Sequence, residues 1–211
     1  LVVVRGFAKA AVTVQGASFV DNDAYATTGE LASLAAAKSS LDGPCVVSYG
    51  DVLFKKYVLD ELLETTGDFV VAVDSMATEH RAGMSCACQG PSEPRADDAA
   101  KGRKADWALC SVPHSRKTLL SNVLLKDVTT DAKAEGIHGE WTGLLKLSAS
   151  GAKAVREIVA SLSEKELASA TVPDLLRRLV KEGREVHVVY TRGGWLDVDT
   201  IGDVLEGSAF Q

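Results

Sequence analysis

Three aspartates in two remote segments carry the most specific chemistry in this sequence. Within residues 47–54, a predicted strand stops at Gly50, and Asp51 lies just past its carboxyl end. Asp197 and Asp199 lie within 194–200, and one intervening residue puts both side chains on the same face of an extended chain. Acidic groups at the carboxyl edge of an α/β sheet can hold a divalent cation against a phosphate. The pattern therefore predicts a magnesium-dependent enzyme that acts on a nucleotide.

Apolar runs and helical periodicities alternate along the chain, and this alternation sets the predicted architecture. Strands are predicted at 1–4, 45–49, 69–73, 144–147 and 186–190, and helices at 30–38, 56–64, 152–162 and 172–182. Such an order is typical of an α/β fold with a mostly parallel sheet.

Three capping signals mark predicted helix starts. Thr27 and Glu30 have capping-box spacing, Ser163 and Glu166 repeat it, and Pro173 suits the first turn of the next helix.

The middle of the chain breaks the periodic pattern. Residues 82–106 are rich in Gly, Pro, Ser, Ala and charge, which indicates a long mobile loop. Short strands are predicted at 106–111 and 123–128, on either side of a basic turn, and they suggest a small β-rich insertion. The predicted organisation is one domain over 1–211, with 82–128 as a flexible loop and insertion within it.

Composition excludes several classes of function. The chain has 211 residues and a formal net charge of -6 with both signs interspersed, which argues against nucleic acid as a partner. It contains neither an apolar run of the roughly 20 residues that a membrane span needs nor a secretory signal, so we expect no membrane association and a cytoplasmic location. The four cysteines lack paired CxxC spacing, which favours reduced structural thiols over a zinc site.

The order of four motifs resembles the phosphonate cytidylyltransferases. The motifs occupy residues 21–34, 47–51, 139–148 and 195–200. The resemblance is to the cytidylyltransferase domain fused to phosphoenolpyruvate phosphomutase in fosfomycin-type biosynthesis, and it covers nearly the whole chain. It implies a doubly wound nucleotidyltransferase fold.

The same resemblance implies a reaction. The enzyme would use CTP and Mg²⁺ to attach CMP to a small phosphonate, for which we expect 2-hydroxyethylphosphonate, and would release pyrophosphate in phosphonate antibiotic biosynthesis. A fused phosphoenolpyruvate phosphomutase domain is the implied protein partner.

The resemblance also implies roles for the acids. Asp51 and Asp199 are expected to be the catalytic Mg²⁺ ligands, and Asp197 a further ligand or an acceptor beside the ion. Taken singly, such acids are more often turn residues or helix caps, and it is their joint placement within the resemblance that favours metal binding.

Two further groups of residues are candidates for substrate contact. Nucleotide contacts are expected at Thr28, Gly29, Glu30 and Gly50, and acceptor contacts at Glu140, Trp141 and Lys146. The alternative for residues 28–30 is an ordinary helix start, and the alternative for Lys146 is the solvated face of a strand.

One departure from the family leaves the activity open. The family's glycine-rich phosphate loop precedes the strand that matches residues 1–4, and this sequence does not contain it. We expect these 211 residues alone to be inactive unless that segment is supplied. The alternatives are a sugar-phosphate or choline-phosphate nucleotidyltransferase, which would share the acids and the reaction, and a catalytically silent nucleotide-binding domain.

Overall fold

The computed structural model describes residues 1–81, 105–115, 122–208 and 210. The strands in these ranges are β1 (Val2–Arg5), β2 (Ser18–Asp21), β3 (Cys45–Ser48), β4 (Val52–Phe54), β5 (Phe69–Asp74), β6 (Trp107–Cys110), β7 (Leu125–Thr129), β8 (Ile137–Leu147), β9 (Val186–Thr191) and β10 (Trp195–Asp197). The helices are α1 (Glu30–Ala36), α2 (Lys56–Glu64), α3 (Met76–Arg81), α4 (Ala149–Ser161), α5 (Glu164–Leu167), α6 (Val172–Lys181) and α7 (Ile201–Ser208). Short 3-10 turns occur at Lys9–Ala11 and Lys38–Ser40.

The chain divides into two compact units, each made from two separate stretches of sequence. The first unit comprises Leu1–Val46 and Leu147–Arg184, and the second comprises Val47–Lys146 and Glu185–Gln211. The division falls within β3 and at the last residue of β8.

The first unit packs three amphipathic helices beside a parallel strand pair. β1 and β2 pair in parallel from Val2 opposite Ser18 to Arg5 opposite Asp21, and α1 lies against β1, α4 and α6. The core is apolar and includes Leu31, Ala152, Val155, Val159, Leu175, Leu176 and Leu179, all of which are buried. Burying one such side chain contributes about 1.5–3 kcal/mol, so these helices are held by packing rather than by helix propensity alone.

The second unit is built on a six-stranded sheet. The strand order is β7-β6-β8-β5-β9, and β3 also pairs with β8. β5 is buried along its whole length and runs parallel to β9, whereas β6 runs antiparallel to β7 and β8. A separate two-stranded sheet pairs β4 with β10 in antiparallel fashion.

The fold class predicted from the sequence is confirmed. Interleaved helices and strands surround a mostly parallel sheet, with the antiparallel strands β6 and β7 at one edge. β8 is longer than predicted, because it begins at Ile137 rather than at Leu144. The extended segment predicted at 194–200 contains β10. The strands β2 and β4 were not predicted, because three or four residues are too few for a periodic signal.

Helices begin at all three predicted sites, and the residue expected to mark the start is confirmed at two of them. Ser163 and Glu166 form a capping box, and Pro173 lies in the first turn of α6. The prediction for Thr27 was wrong: α1 is capped by Gly29, without a side-chain cap, and the Thr27 hydroxyl donates to the Ala24 carbonyl. At this helix start, the Gly29 N–H donates to the Leu167 carbonyl and the Leu31 N–H to the Ala170 carbonyl, so backbone carbonyls take the place of a side-chain cap for these two groups.

The predicted loop at 82–106 falls almost wholly on residues 82–104, which lie outside the described residues. The two strands predicted beside it are present as β6 and β7, and both belong to the main sheet. None of the helices in the described ranges has the length and apolar character needed to cross a bilayer.

His138 supports an irregular point in the sheet. The pairing of β6 with β8 shifts register between Ala108 and Leu109, and the Cys110 N–H then donates to Nδ1 of His138 at 3.0 Å. This bond requires an imidazole that is unprotonated at Nδ1. Desolvation by burial lowers the pKa of His138, so the folded state favours the same neutral form.

The free energy of unfolding should therefore decrease as the pH falls from 7 to 5. A depressed folded-state pKa adds stability that is fully present above the unfolded value of about 6.5 and is lost as pH falls towards the folded value. Carboxylates such as Glu166, whose pKa is lowered by hydrogen bonds from Ser163, remain ionised in this window. Urea unfolding at both pH values should show a smaller decrease in His138→Gln than in the wild type. An equal decrease in the two proteins would contradict the assignment.

Candidate metal centre

The pairing of β4 with β10 brings the three predicted acids together. Asp197 lies opposite Val52, and one step further along, the Val198 N–H donates to the carbonyl of Asp51 at 2.9 Å. Asp51 thus directly precedes β4, while Asp197 ends β10 and Asp199 follows it. Because side chains alternate along an extended strand, Asp197 and Asp199 lie on one face.

The three carboxylates form a compact cluster. One oxygen from each of Asp51, Asp197 and Asp199 lies within 4.8 Å of the other two. Asp51 and Asp199 are exposed, and Asp197 is half-buried. Three like charges so close together repel one another, and a divalent cation between them would convert that repulsion into attraction.

The donor set fits Mg²⁺. This ion prefers carboxylate and water oxygens at about 2.0–2.1 Å in octahedral geometry, so two oxygens bound to one ion lie at most about 4.2 Å apart. The observed limit of 4.8 Å exceeds that distance slightly, and small side-chain rotations would close the difference. Two of the three acids are exposed, which leaves room for water and substrate oxygens in the remaining positions.

Hydrogen bonds at the start of α7 fix the backbone at Asp199, the last of the three acids. Thr200 and Asp203 make reciprocal hydrogen bonds at the beginning of α7: the Thr200 N–H donates to Oδ2 of Asp203 at 2.7 Å, and the Asp203 N–H donates to Oγ1 of Thr200 at 3.3 Å. The backbone N–H of Asp199 also donates to Asp203, at 3.1 Å. The chain therefore enters the helix in a defined conformation just after Asp199.

The residues predicted to contact the nucleotide lie in different units. Thr28, Gly29 and Glu30 belong to the first unit, whereas Gly50 lies in the turn between β3 and β4. Thr28 donates to the Ala24 carbonyl at 3.0 Å. A Cβ added at Gly50 would meet open space, so this backbone is accessible.

Gly29 and Glu30 have structural partners of their own. A Cβ at Gly29 would lie 2.2 Å from the carbonyl oxygen of Ala170, and Oε2 of Glu30 accepts from the Val172 N–H at 3.4 Å. These contacts account for the residue types without a ligand, and nucleotide contact at positions 28–30 stays a prediction.

The residues predicted to contact the acceptor all lie on β8. Glu140 is buried and pairs in register with Trp107. Trp141 is also buried: its indole N–H donates to the Leu144 carbonyl at 2.9 Å, and its ring meets Tyr49 edge to face at 5.4 Å. An acceptor role for Glu140 and Trp141 stays a prediction.

Lys146 caps a helix. Its ammonium donates to the carbonyl of Leu63 at 2.9 Å and also to that of Thr65, both at the C-terminal end of α2, where unpaired carbonyls favour a positive charge. This contact was not anticipated from the strand pattern, and contact of Lys146 with a phosphate stays a prediction.

One buried acid was not identified from the sequence. Asp74 ends β5 and is 8% exposed, and it accepts hydrogen bonds from the segment that leads into β10. Its signal was available: it follows a fully apolar run, in the position that drew attention to Asp51.

The architecture is similar to that of several solved enzymes. The inositol-1-phosphate CTP transferase from T. maritima matches with a TM-score of 0.61 and 17% identity over 92% of this chain. A putative glucose-1-phosphate thymidylyltransferase from Bacillus anthracis matches with a TM-score of 0.59 and 13% identity over the same share. The chain shares its mixed α/β fold with these nucleotidyltransferases.

A third similar structure is that of a CTP:phosphocholine cytidylyltransferase from Streptococcus pneumoniae, with a TM-score of 0.50 and 16% identity over 92% of this chain and 68% of that one. The present chain spans 64% of the length of each of the first two nucleotidyltransferases. No protein-family model and no curated protein matches the sequence.

The close packing at Gly29 generates a stability prediction. Gly29→Ala should destabilise the protein by about 1–3 kcal/mol or more, because the added methyl group must displace the Ala170 backbone. The matched control is Gly43→Ala, where a Cβ meets nothing within 4 Å. Urea unfolding of both variants gives the comparison, and equal midpoints would show that the packing at Gly29 is not restrictive.

Proposed function

We propose that this chain is part of a magnesium-dependent cytidylyltransferase that transfers CMP from CTP to a small phosphonate and releases pyrophosphate. The observation that carries the proposal is the convergence of Asp51, Asp197 and Asp199 in a chain that shares its mixed α/β fold with nucleotidyltransferases. The names of two similar structures, a CTP transferase and a phosphocholine cytidylyltransferase, support CTP as the nucleotide.

The reaction needs little from the protein beyond positioning and charge compensation. An anionic oxygen of the acceptor attacks the α-phosphorus of CTP, a new P–O bond forms, and the bond to the β-phosphate oxygen breaks as pyrophosphate leaves. The acceptor is already ionised, so no side chain has to remove a proton. Mg²⁺, when bound, supplies positive charge to the phosphate oxygens. Asp51, Asp197 and Asp199 would hold it.

The remaining predicted contacts are part of the same proposal. The open backbone at Gly50, next to Asp51, allows close approach of a phosphate or ribose. Thr28, Gly29 and Glu30 are proposed to contact the nucleotide, and Glu140, Trp141 and Lys146 to line the acceptor side. The motif resemblance supports 2-hydroxyethylphosphonate as acceptor, a fused phosphoenolpyruvate phosphomutase domain, and a place in phosphonate antibiotic biosynthesis.

A second candidate acceptor is a phosphate monoester. Two of the similar structures are named for inositol-1-phosphate and phosphocholine, and a phosphonate differs from these only in having carbon in place of the ester oxygen at phosphorus. Pyrophosphate release by the full-length protein, with each NTP and a panel of phosphonates and phosphomonoesters, separates the candidates. Release with CTP and a phosphonate supports the proposal, and release only with a phosphomonoester redirects it. A protein that binds CTP but releases no pyrophosphate with any acceptor would be a silent nucleotide-binding domain.

Asp51→Asn and Asp199→Asn should each lower kcat/KM of the full-length protein by about 10²–10³, since a catalytic metal supplies several kcal/mol of charge stabilisation. The matched control is Asp60→Asn, which removes an acid of the same unit that pairs with Lys56 on the surface of α2. Pyrophosphate release measured against Mg²⁺ concentration tests this. Near-normal rates with unchanged magnesium dependence in either variant would refute the assignment of these acids.

Glu140→Gln should alter acceptor selection more than affinity for CTP. A site that hydrogen-bonds a substrate group discriminates against analogues that lack the group, and removing the site's charge weakens that discrimination. Relative rates for hydroxyethyl-, aminoethyl- and ethylphosphonate should therefore change, while the KM for CTP changes little. An equal loss of rate for all three acceptors would exclude Glu140 from acceptor recognition.

A further inference from the structure

The buried carboxylate of Asp74 receives three hydrogen bonds from two directions. Oδ1 accepts from the Met76 N–H at 2.9 Å and from the Gly193 N–H at 3.1 Å. Oδ2 accepts from the indole N–H of Trp195 at 2.9 Å. Gly193 lies in the segment that joins β9 to β10, and Trp195 is the first residue of β10, so Asp74 connects the end of β5 to the start of β10.

The segment that Asp74 holds is a tight glycine turn. Gly193 and Gly194 both have positive φ, +70° and +77°. A Cβ at Gly194 would lie 1.9 Å from the hydroxyl oxygen of Tyr57, so no other residue fits there without a rearrangement. Beyond the turn, the Gly194 carbonyl accepts from the Lys55 N–H at 2.8 Å, and the β4–β10 ladder begins at Trp195.

The position of the turn sets the position of the acids. Asp197 lies only two residues beyond Trp195, in a strand of three residues whose one partner in the two-stranded sheet is β4. A displacement of the backbone at Trp195 therefore displaces Asp197 and Asp199 as well, because β10 is too short to compensate for it.

We propose that Asp74 is a positioning residue for the metal centre. By fixing Gly193 and Trp195 it sets the register of β10 against β4, and hence the distance of Asp197 and Asp199 from Asp51. The inference rests on the metal centre of the proposed function, and it adds a residue that touches none of the three ligands in the contacts described above.

An amide cannot replace this carboxylate. All three partners of Asp74 are N–H donors, and both of its oxygens are used as acceptors. Asparagine has one acceptor oxygen and one NH₂ group, so it would place a donor against either the Trp195 indole or the two backbone N–H groups. Asp74→Asn changes the volume little and still removes the restraint on the turn.

The test uses Mn²⁺ as the probe and the full-length protein without nucleotide. Free Mn²⁺ is measured by EPR in the wild type, Asp74→Asn, Trp195→Phe and the control Asp174→Asn. Trp195→Phe keeps an aromatic ring and removes the indole N–H together with the five-membered ring that carries it. Asp174 accepts hydrogen bonds from Thr171 and Arg177 in the first unit, so the control removes an equally well-bonded acid elsewhere.

Asp74→Asn should weaken Mn²⁺ binding by about tenfold, and Trp195→Phe by a smaller factor in the same direction, as for other residues that orient metal ligands. The two effects should not add in the double variant, because both substitutions act on the same hydrogen bond, from the Trp195 indole to Asp74. Amide exchange at Val198 should accelerate in both. Asp174→Asn should lower the unfolding temperature and leave Mn²⁺ affinity unchanged.

Wild-type Mn²⁺ affinity and Val198 exchange in a folded Asp74→Asn or Trp195→Phe variant would overturn the inference and leave the proposed function intact. Absence of Mn²⁺ binding by the wild type, or binding that Asp51→Asn does not weaken, would overturn the metal centre itself and this inference with it.

Discussion

The candidate site depends on the pairing of two strands of three residues each. β4 and β10 are separated by roughly 140 residues of chain, and closing so long a loop costs conformational entropy that six residues of ladder cannot repay. An isolated pair of strands is at best marginally stable in water. The pairing must therefore be held by its surroundings, and the structure shows how: Asp74 and Tyr57 hold the turn before β10, and the cap of α7 holds the chain after it.

The acids themselves oppose the arrangement. Ionised carboxylates repel one another, and this repulsion would be severe if all three were buried. Here two of the three are exposed and remain hydrated, while the neutral backbone supplies the attraction that holds them close. Rigid elements thus supply the geometry, and solvent moderates its electrostatic cost until a cation binds. Asp74 is buried and cannot be stabilised by solvent in this way, so N–H donors rather than other acids surround its carboxylate.

The sequence was informative wherever a pattern is long or a residue follows a simple rule. The buried strand β5 and the helices α2 and α6 were predicted because continuous apolar runs and helical periodicity are visible in a single sequence. Asp51, Asp197 and Asp199 were found because acids at strand ends are visible in sequence. Lys146 was ambiguous, since alternation along a strand shows which face a side chain is on and not which helix end lies above it. The short strand β4 was missed because distant pairing, rather than local composition, creates it.

The interleaving of the two units has a consequence for how the chain folds. β5 is fully buried and forms part of its sheet with β9, yet β9 is synthesised roughly a hundred residues later. Until β9 arrives, the apolar strand β5 has an open edge, and such edges invite pairing with other chains. Parallel pairing across so large a separation is also slow, so the nascent protein passes through a period in which β5 is vulnerable to aggregation. The feature that brings remote acids to one place in the finished fold thereby makes the assembly of the sheet dependent on a strand that emerges long after β5.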